Sequence, residues 1–135
     1  MLLQLHTGQV PGYVDGQAAM VYLVASAQAV AAAGCRFVFY DGHALARLST
    51  CYDDLAQLSH VDWRAVSAKQ WSTRSDPDLR RRKQAEFLVH EALPWDLIRG
   101  IGVLDATAEA NVQALLAAAP PSLHRQIAQC PQWYY

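Results

Sequence analysis

The chain carries several short strand-forming runs that never settle into a regular strand–helix alternation, and this limits its fold more than any other feature. Apolar runs rich in β-formers occur at residues 20–24 (MVYLV), 35–40 (CRFVFY), 85–89 (AEFLV) and 97–104 (LIRGIGVL). Runs of this length and composition read as strands. Residues 2–5 (LLQL) read as one more short strand. Ser26 is placed to cap a helix over residues 27–33, and Gly34 to end it. Pro77, after Asp76, fits the first helical position of a short helix reaching Arg82. An Ala-rich helix is expected over residues 107–118, with Asp105 as turn or cap and Pro120-Pro121 as its stop. The tail ending Trp133-Tyr134-Tyr135 is a candidate final strand. This order does not alternate as a parallel βαβ fold does, so it reads as α+β with a mainly antiparallel sheet.

Between Asp41 and Pro77 the periodicity fades. Leu55, Leu58, Val61, Trp63, Val66 and Trp71 stand as single apolar anchors among scattered Asp and Ser, and could pin short helical turns. A connection this long inside a small domain is often functional. A length of 135 residues suits a single domain spanning 1–135, and 53% hydrophobic residues can supply its core. The net charge of −1 gives no sign of nucleic-acid binding, so such a site needs local clustering. Cys35, Cys51 and Cys130 form no CxxC pair, which points to a reducing cytosol rather than a disulfide framework or zinc cluster. The apolar runs are too short to span a bilayer, and the first residues lack a signal peptide's basic start. The default expectation is a soluble cytoplasmic protein with no membrane partner.

Glu86 is the first candidate for chemistry. Strand alternation puts Phe87 and Val89 on one face and Glu86 and Leu88 on the other. A carboxylate at a strand start beside apolar neighbours can be tuned for acid–base or electrostatic work. It can equally serve a salt bridge to Arg82 or Lys83, or stand exposed at a sheet edge. Arg80, Arg81, Arg82 and Lys83 form a dense basic run just before it. Such a run could hold a nucleic-acid backbone or a pyrophosphate, or be a solvated helix end favoured by the helix dipole. His43 follows the Asp41-Gly42 turn, where it could contact a substrate or simply be exposed. His6 could be a partly buried core histidine. No histidine pair has HxxxH or HExxH spacing, so no metal is expected. GxSxG, GxGxxG and GxxxxGK[ST] are absent, and Gly100-Ile101-Gly102 reads as close backbone packing in a strand. The four tryptophans read as core or loop anchors, with stacking on a base or nicotinamide as the alternative.

Several segments together resemble the DarT family of DNA ADP-ribosyltransferase toxins. They are Asp53-Asp54-Leu55, Val61-Asp62-Trp63, Trp71, RRKQAEFLV (81–89) and the closing WYY. MLLQLHTGQVPGY, MVYLV and YDGHA (40–44) look like the middle of that family's domain, so the resemblance spans the whole chain. It implies an ADP-ribosyltransferase-like fold of two apposed, mainly antiparallel sheets with flanking helices, lacking the family's N-terminal portion. It implies transfer of ADP-ribose from the co-substrate NAD to a base in single-stranded DNA, thymine in most members and guanine in some. It implies pairing with a macrodomain antitoxin. Glu86 matches the catalytic glutamate, and Arg80 to Lys83 match the basic residues before it, with Arg80 the expected contact to DNA or to the reacting base. His43 falls in the matching substrate-recognition loop. The family's NAD-gripping histidine and arginine lie ahead of the segment matching Met1, so the cofactor-binding residues stay unknown here. An impaired module binding single-stranded DNA or an antitoxin is the alternative expectation. RNA or protein as acceptor is a third.

Overall fold

Among the described residues, six short strands make two three-stranded sheets, one in each of two compact units. The computed structural model describes residues 10–13, 16–71 and 74–134. The strand expected at residues 2–5, His6 and the final Tyr135 lie outside these residues. One unit comprises Met1–Ala25 with Pro94–Tyr135, and the other Ser26–Leu93. Among the described residues, no helix is long and apolar enough to cross a membrane.

In the first unit, β1 (Tyr22–Val24) pairs antiparallel with β5 (Gly100–Val103), and β5 pairs in parallel with β6 (Gln126–Gln129). Helix α4 (Ala106–Ala117) covers the sheet and starts where the Asp105 carboxylate accepts from the Ala108 N–H at 2.9 Å. Ile101, Val103 and Ala108 are buried there, with Val112, Leu116 and Ile127 packed against them. Gly102 is needed because a Cβ would stand 2.5 Å from the Trp133 ring. The expected close packing at Gly100–Gly102 is therefore present, and the indole is its partner. The final strand differs from expectation. It forms at β6, ahead of the aromatic tail, while Pro131–Trp133 makes a 3-10 turn. Trp133 and Tyr134 instead pack edge-on against Tyr22, with centroids 5.4 and 5.0 Å away.

The second unit holds α1 (Ala27–Ala32), β2 (Phe37–Tyr40), β3 (Cys51–Tyr52), α2 (Trp63–Ser67), α3 (Leu79–Lys83) and β4 (Glu86–Val89). Ser26 caps α1, accepting from Ala29 N–H at 3.1 Å, and Gly34 follows its end at φ 71°. The central β2 pairs antiparallel with both β3 and β4. One face of this sheet is a row of stacked rings: Phe37 on Phe87 at 5.0 Å and Phe39 on Tyr52 at 5.2 Å. Phe39 is 1% exposed and central to the row. The alternation expected for β4 holds, since Phe87 joins this face and Glu86 does not.

The long aperiodic connection is ordered by capping and by charge. The Asp54 carboxylate caps a 3-10 turn at Leu55–His60, and Asp62 caps α2, accepting from Ala65 N–H at 3.0 Å. The other Asp62 oxygen pairs with Arg82, which also binds Asp76. The Lys83 ammonium donates to the Val66 and Ala68 carbonyls at the end of α2 and lies 5.1 Å over the Trp71 ring. Burial lowers the Lys83 pKa. Helix α3 starts at Leu79, later than Pro77 suggests: the Asp76 carboxylate that would cap a start at Pro77 binds Arg82, and Asp78 stands at the N-cap with its carboxylate on Arg81.

Two measurements check this packing. Phe39→Ala should lower unfolding free energy by about 3–5 kcal/mol in urea denaturation. A loss under about 1 kcal/mol would show that the ring stack does not hold the sheet. The Asp62 carboxyl is held below its ordinary pKa, first by the Ala65 N–H and then by Arg82, against an opposing cost of desolvation. A carboxyl lowered on folding contributes stability above its unfolded pKa and loses it as pH falls through the folded value. The chain should therefore weaken below about pH 4. Asp62→Asn should be less stable at neutral pH, with the gap to the parent narrowing as the medium is acidified. Equal gaps at neutral and acid pH would remove Asp62 from this linkage.

Candidate active site around Glu86

Glu86 opens β4 directly opposite Tyr40, the last residue of β2, and Tyr40 in turn faces Cys51 on β3. Cross-strand partners share a face. Tyr40, Cys51 and Glu86 thus form a polar row on the face opposite the ring stack. The Tyr40 phenol pKa is raised, first by a hydrogen bond to Cys51 and in smaller part by the charge of Glu86.

The Glu86 side chain is about one-third exposed, at 34%. Its Oε1 lies 2.9 Å from His43 Nδ1 and accepts the Ala44 N–H at 3.2 Å. Leu45 N–H lies 3.4 Å from the same His43 nitrogen. One nitrogen cannot donate to a carboxylate and accept from an amide in the same tautomer. The shorter, charge-assisted contact to Glu86 decides it, so Nδ1 carries the proton and donates. Among the described residues, Oε2 accepts no hydrogen bond, and one carboxylate oxygen is left to meet a ligand. Neither salt bridge weighed from the sequence, to Arg82 or to Lys83, is formed. Both cations are turned to other partners.

His43 sits on a turn whose backbone is fixed at both ends. Its N–H donates to the Arg81 carbonyl at 3.1 Å, and Ala46 N–H donates back to the His43 carbonyl at 2.9 Å. The Asp41 carboxylate accepts the Thr50 N–H at 2.8 Å, closing the loop. The same Asp41 oxygen takes Arg81 Nη1 at 3.0 Å. Arg81 Nε and Nη2 fork onto Asp78 at 2.8 and 2.9 Å, and Nη1 also reaches Ser49 Oγ at 3.3 Å. The Asp78 hydrogen bond leads in raising the Arg81 pKa, and the Arg81 hydrogen bond leads in lowering that of Asp78.

The four members of the basic run therefore have different surroundings. Arg81, Arg82 and Lys83 are partly buried and bound to carboxylates or carbonyls, whereas Arg80 is exposed and, among the described residues, has no hydrogen-bond or ion-pair partner. Sequence reading named Glu86 and His43 separately, and the structure brings them together. It missed Tyr40, Asp41 and the Ala44 amide. Only the Tyr40–Glu86 register would have shown the first, and that register is a tertiary fact. No group of three or more His, Cys, Asp or Glu among the described residues is placed to hold a metal.

The family described as "ssDNA thymidine ADP-ribosyltransferase, DarT" matches residues 1–135. A DNA ADP-ribosyl transferase of Thermus aquaticus is 39% identical over 135 residues, covering 100% of this chain and 58% of that protein. One from Escherichia coli O127:H6 is 34% identical over 104 residues, covering 75% of this chain and 47% of that protein. The chain thus spans about half to three-fifths of these relatives. Among solved structures, Thermus sp. 2.9 DarT in complex with NAD+ superposes with a TM-score of 0.92 at 36% identity, over 99% of this chain and 66% of that one. The same protein in complex with ADP-ribosylated ssDNA gives 0.92 at 35%, over 99% and 63%. The chain has an α+β, ADP-ribosyltransferase-like fold and belongs to the DarT family.

Proposed function

We propose that this chain is the Glu86-bearing part of an NAD-dependent enzyme that ADP-ribosylates thymidine in single-stranded DNA. The observation that carries the reading is the state of Glu86: one oxygen is held by His43 and Ala44, and the other is open. It stands in a chain matched along its full length by a family of that activity. The Thermus sp. 2.9 relative has been solved with NAD+ and with ADP-ribosylated ssDNA, which supports both substrates.

NAD supplies the ADP-ribosyl group when bound. Glu86 Oε2 is the atom available to accept a hydrogen bond from a ribose hydroxyl. The carboxylate's charge then stabilises positive charge developing on the sugar as the nicotinamide bond breaks. Such stabilisation works best where the charge is fixed in advance. The His43 and Ala44 contacts do this by holding the carboxylate in one orientation. The proton released by the attacking base nitrogen is assigned to the Glu86 carboxylate or to the His43 imidazole beside it. Single-stranded DNA suits such a site because a paired base hides its Watson–Crick edge. Within the basic run, Arg80 is assigned to the DNA backbone, while Arg81, Arg82 and Lys83 brace the loops around the site. No residue of this chain is assigned to the grip on NAD. Pairing with a macrodomain antitoxin, which the family resemblance implies, and a cytoplasmic location, expected from the cysteine pattern and the short apolar runs, complete the reading.

The test incubates NAD and a thymidine-containing single-stranded oligonucleotide with two proteins. One is this chain. The other is a chimera that adds the part of the Thermus sp. 2.9 relative lying outside the match. An ADP-ribose mass increment on the oligonucleotide is expected, lost in Glu86→Gln. No increment from either protein sinks the enzyme reading. A separate binding measurement checks Arg80. Arg80→Ala should weaken oligonucleotide binding and flatten the slope of log K against log salt by about 0.7, the value for one single-strand phosphate contact. An unchanged slope would remove Arg80 from the DNA.

A further inference from the structure

Of the three members of the basic run that are bound internally, Arg81 alone reaches the turn carrying His43. We infer that Arg81 is a positioning residue for the site: its guanidinium clamps the Asp41–Gly42–His43 turn and so sets the His43–Glu86 contact. The inference rests on the reading of Glu86 as the catalytic carboxylate. Arg81 touches neither Glu86 nor any atom that would react. It acts through the turn.

Three contacts converge on that turn. The guanidinium holds Asp41 through Nη1 at 3.0 Å. The Arg81 carbonyl accepts the His43 N–H at 3.1 Å. Between them, Gly42 is buried flat against the arginine. A Cβ at Gly42 would stand 2.5 Å from Nη1, 2.9 Å from Cγ and 2.9 Å from the carbonyl oxygen. The side chain could swing away from such a Cβ, but the backbone oxygen could not do so without losing its hydrogen bond to His43.

The residue type matters as much as its place. All three guanidinium nitrogens are used: Nε and Nη2 fork onto Asp78, and Nη1 bridges Asp41 and Ser49. The fork onto Asp78 fixes the plane of the group, which aims Nη1 at the turn. A lysine ammonium is a point charge on a flexible stem and cannot serve both sides at once. At 16% exposure the Arg81 side chain is also poorly placed for phosphate.

The experiment reads the His43 ring by NMR in the full chain and kcat in the chimera described above. In the parent, Glu86→Gln should shift the His43 ring signals. In an Arg81→Lys background that shift should largely vanish. The kcat should fall about 10- to 100-fold, as when outer partners of reacting groups are lost elsewhere, with KM for the oligonucleotide little changed. Gly42→Ala reaches the turn by a steric route and should give the same two effects. It keeps the test open should Arg81→Lys fail to fold. Loss of the ring response in either variant without any activity in the parent chimera would uphold the positioning and sink the enzyme reading. A ring response retained in both folded variants would overturn the inference, whatever happens to kcat. So would a rise in KM with kcat unchanged, which would mark Arg81 as a substrate contact.

Discussion

The guanidinium of Arg81, set among Asp41, Asp78 and Ser49, is the contact on which the arrangement around Glu86 depends. Exposed ion pairs contribute little, because water screens them and two long side chains must be ordered. This one differs in three ways. Arg81 and Asp41 are mostly buried, at 16% and 20% exposure. The grip on Asp78 is bidentate. Asp41 and Ser49 sit on a distant segment, so those two contacts close a loop, while Asp78 at the N-cap of the same helix fixes the plane of the group. Asp41 is held from two sides, by Arg81 and by the Thr50 N–H, and this makes the turn between them a fixed object. Arg82 does the same for the more distant part of the connection through Asp62 and Asp76. Helix α3 has only five residues, and its cations organise the two irregular segments between β2 and β4.

That arrangement changes the meaning of a basic run. Four adjacent cations in a nearly neutral chain look like a phosphate site, although Asp76 and Asp78 just before them already neutralise part of the charge. The remaining partners are far along the chain: Asp41 is 40 positions away from Arg81, and Asp62 is 20 from Arg82. A helix turns by about 100° per residue. Four consecutive side chains therefore point in four directions, and one of them faces out. Arg80 is that residue.

Legibility in the sequence followed the range of the forces involved. Elements fixed by local signals were readable: Ser26 and Gly34 bracket α1, Asp105 starts α4, and strand alternation put Glu86 opposite the Phe87 face. Elements fixed by distant partners were not. Strand β3 has two residues and exists only because Tyr40 and Phe39 pair with it. Strand β6 reads QIAQ, with Ile127 as its one large apolar residue, and it is a strand because β5 lies alongside. Pro77 suggested a helix start that needs Asp76 as its cap, and the Asp76 carboxylate is committed to Arg82. The site shows the same split. Periodicity offered Glu86 as a carboxylate on a strand and left its role open, and resemblance selected it. The His43 and Ala44 contacts could not be read from spacing, since they close across 42 or more positions.

The division of labour on Glu86 follows from having two oxygens and one orientation to defend. A carboxylate free on both sides would rotate and would lose entropy on each binding event. One gripped on both sides would have nothing left for a ligand. Here Oε1 takes an imidazole N–H and an amide N–H, and Oε2 stays open. The amide is the stricter of the two partners, because a backbone N–H can only donate, whereas an imidazole nitrogen can donate or accept. Pre-orientation therefore does not rest on the imidazole alone. An imidazole donor and an amide donor on one oxygen leave the other oxygen open among the described residues and fixed in place. The fixed turn under Arg81 keeps these two side chains in register.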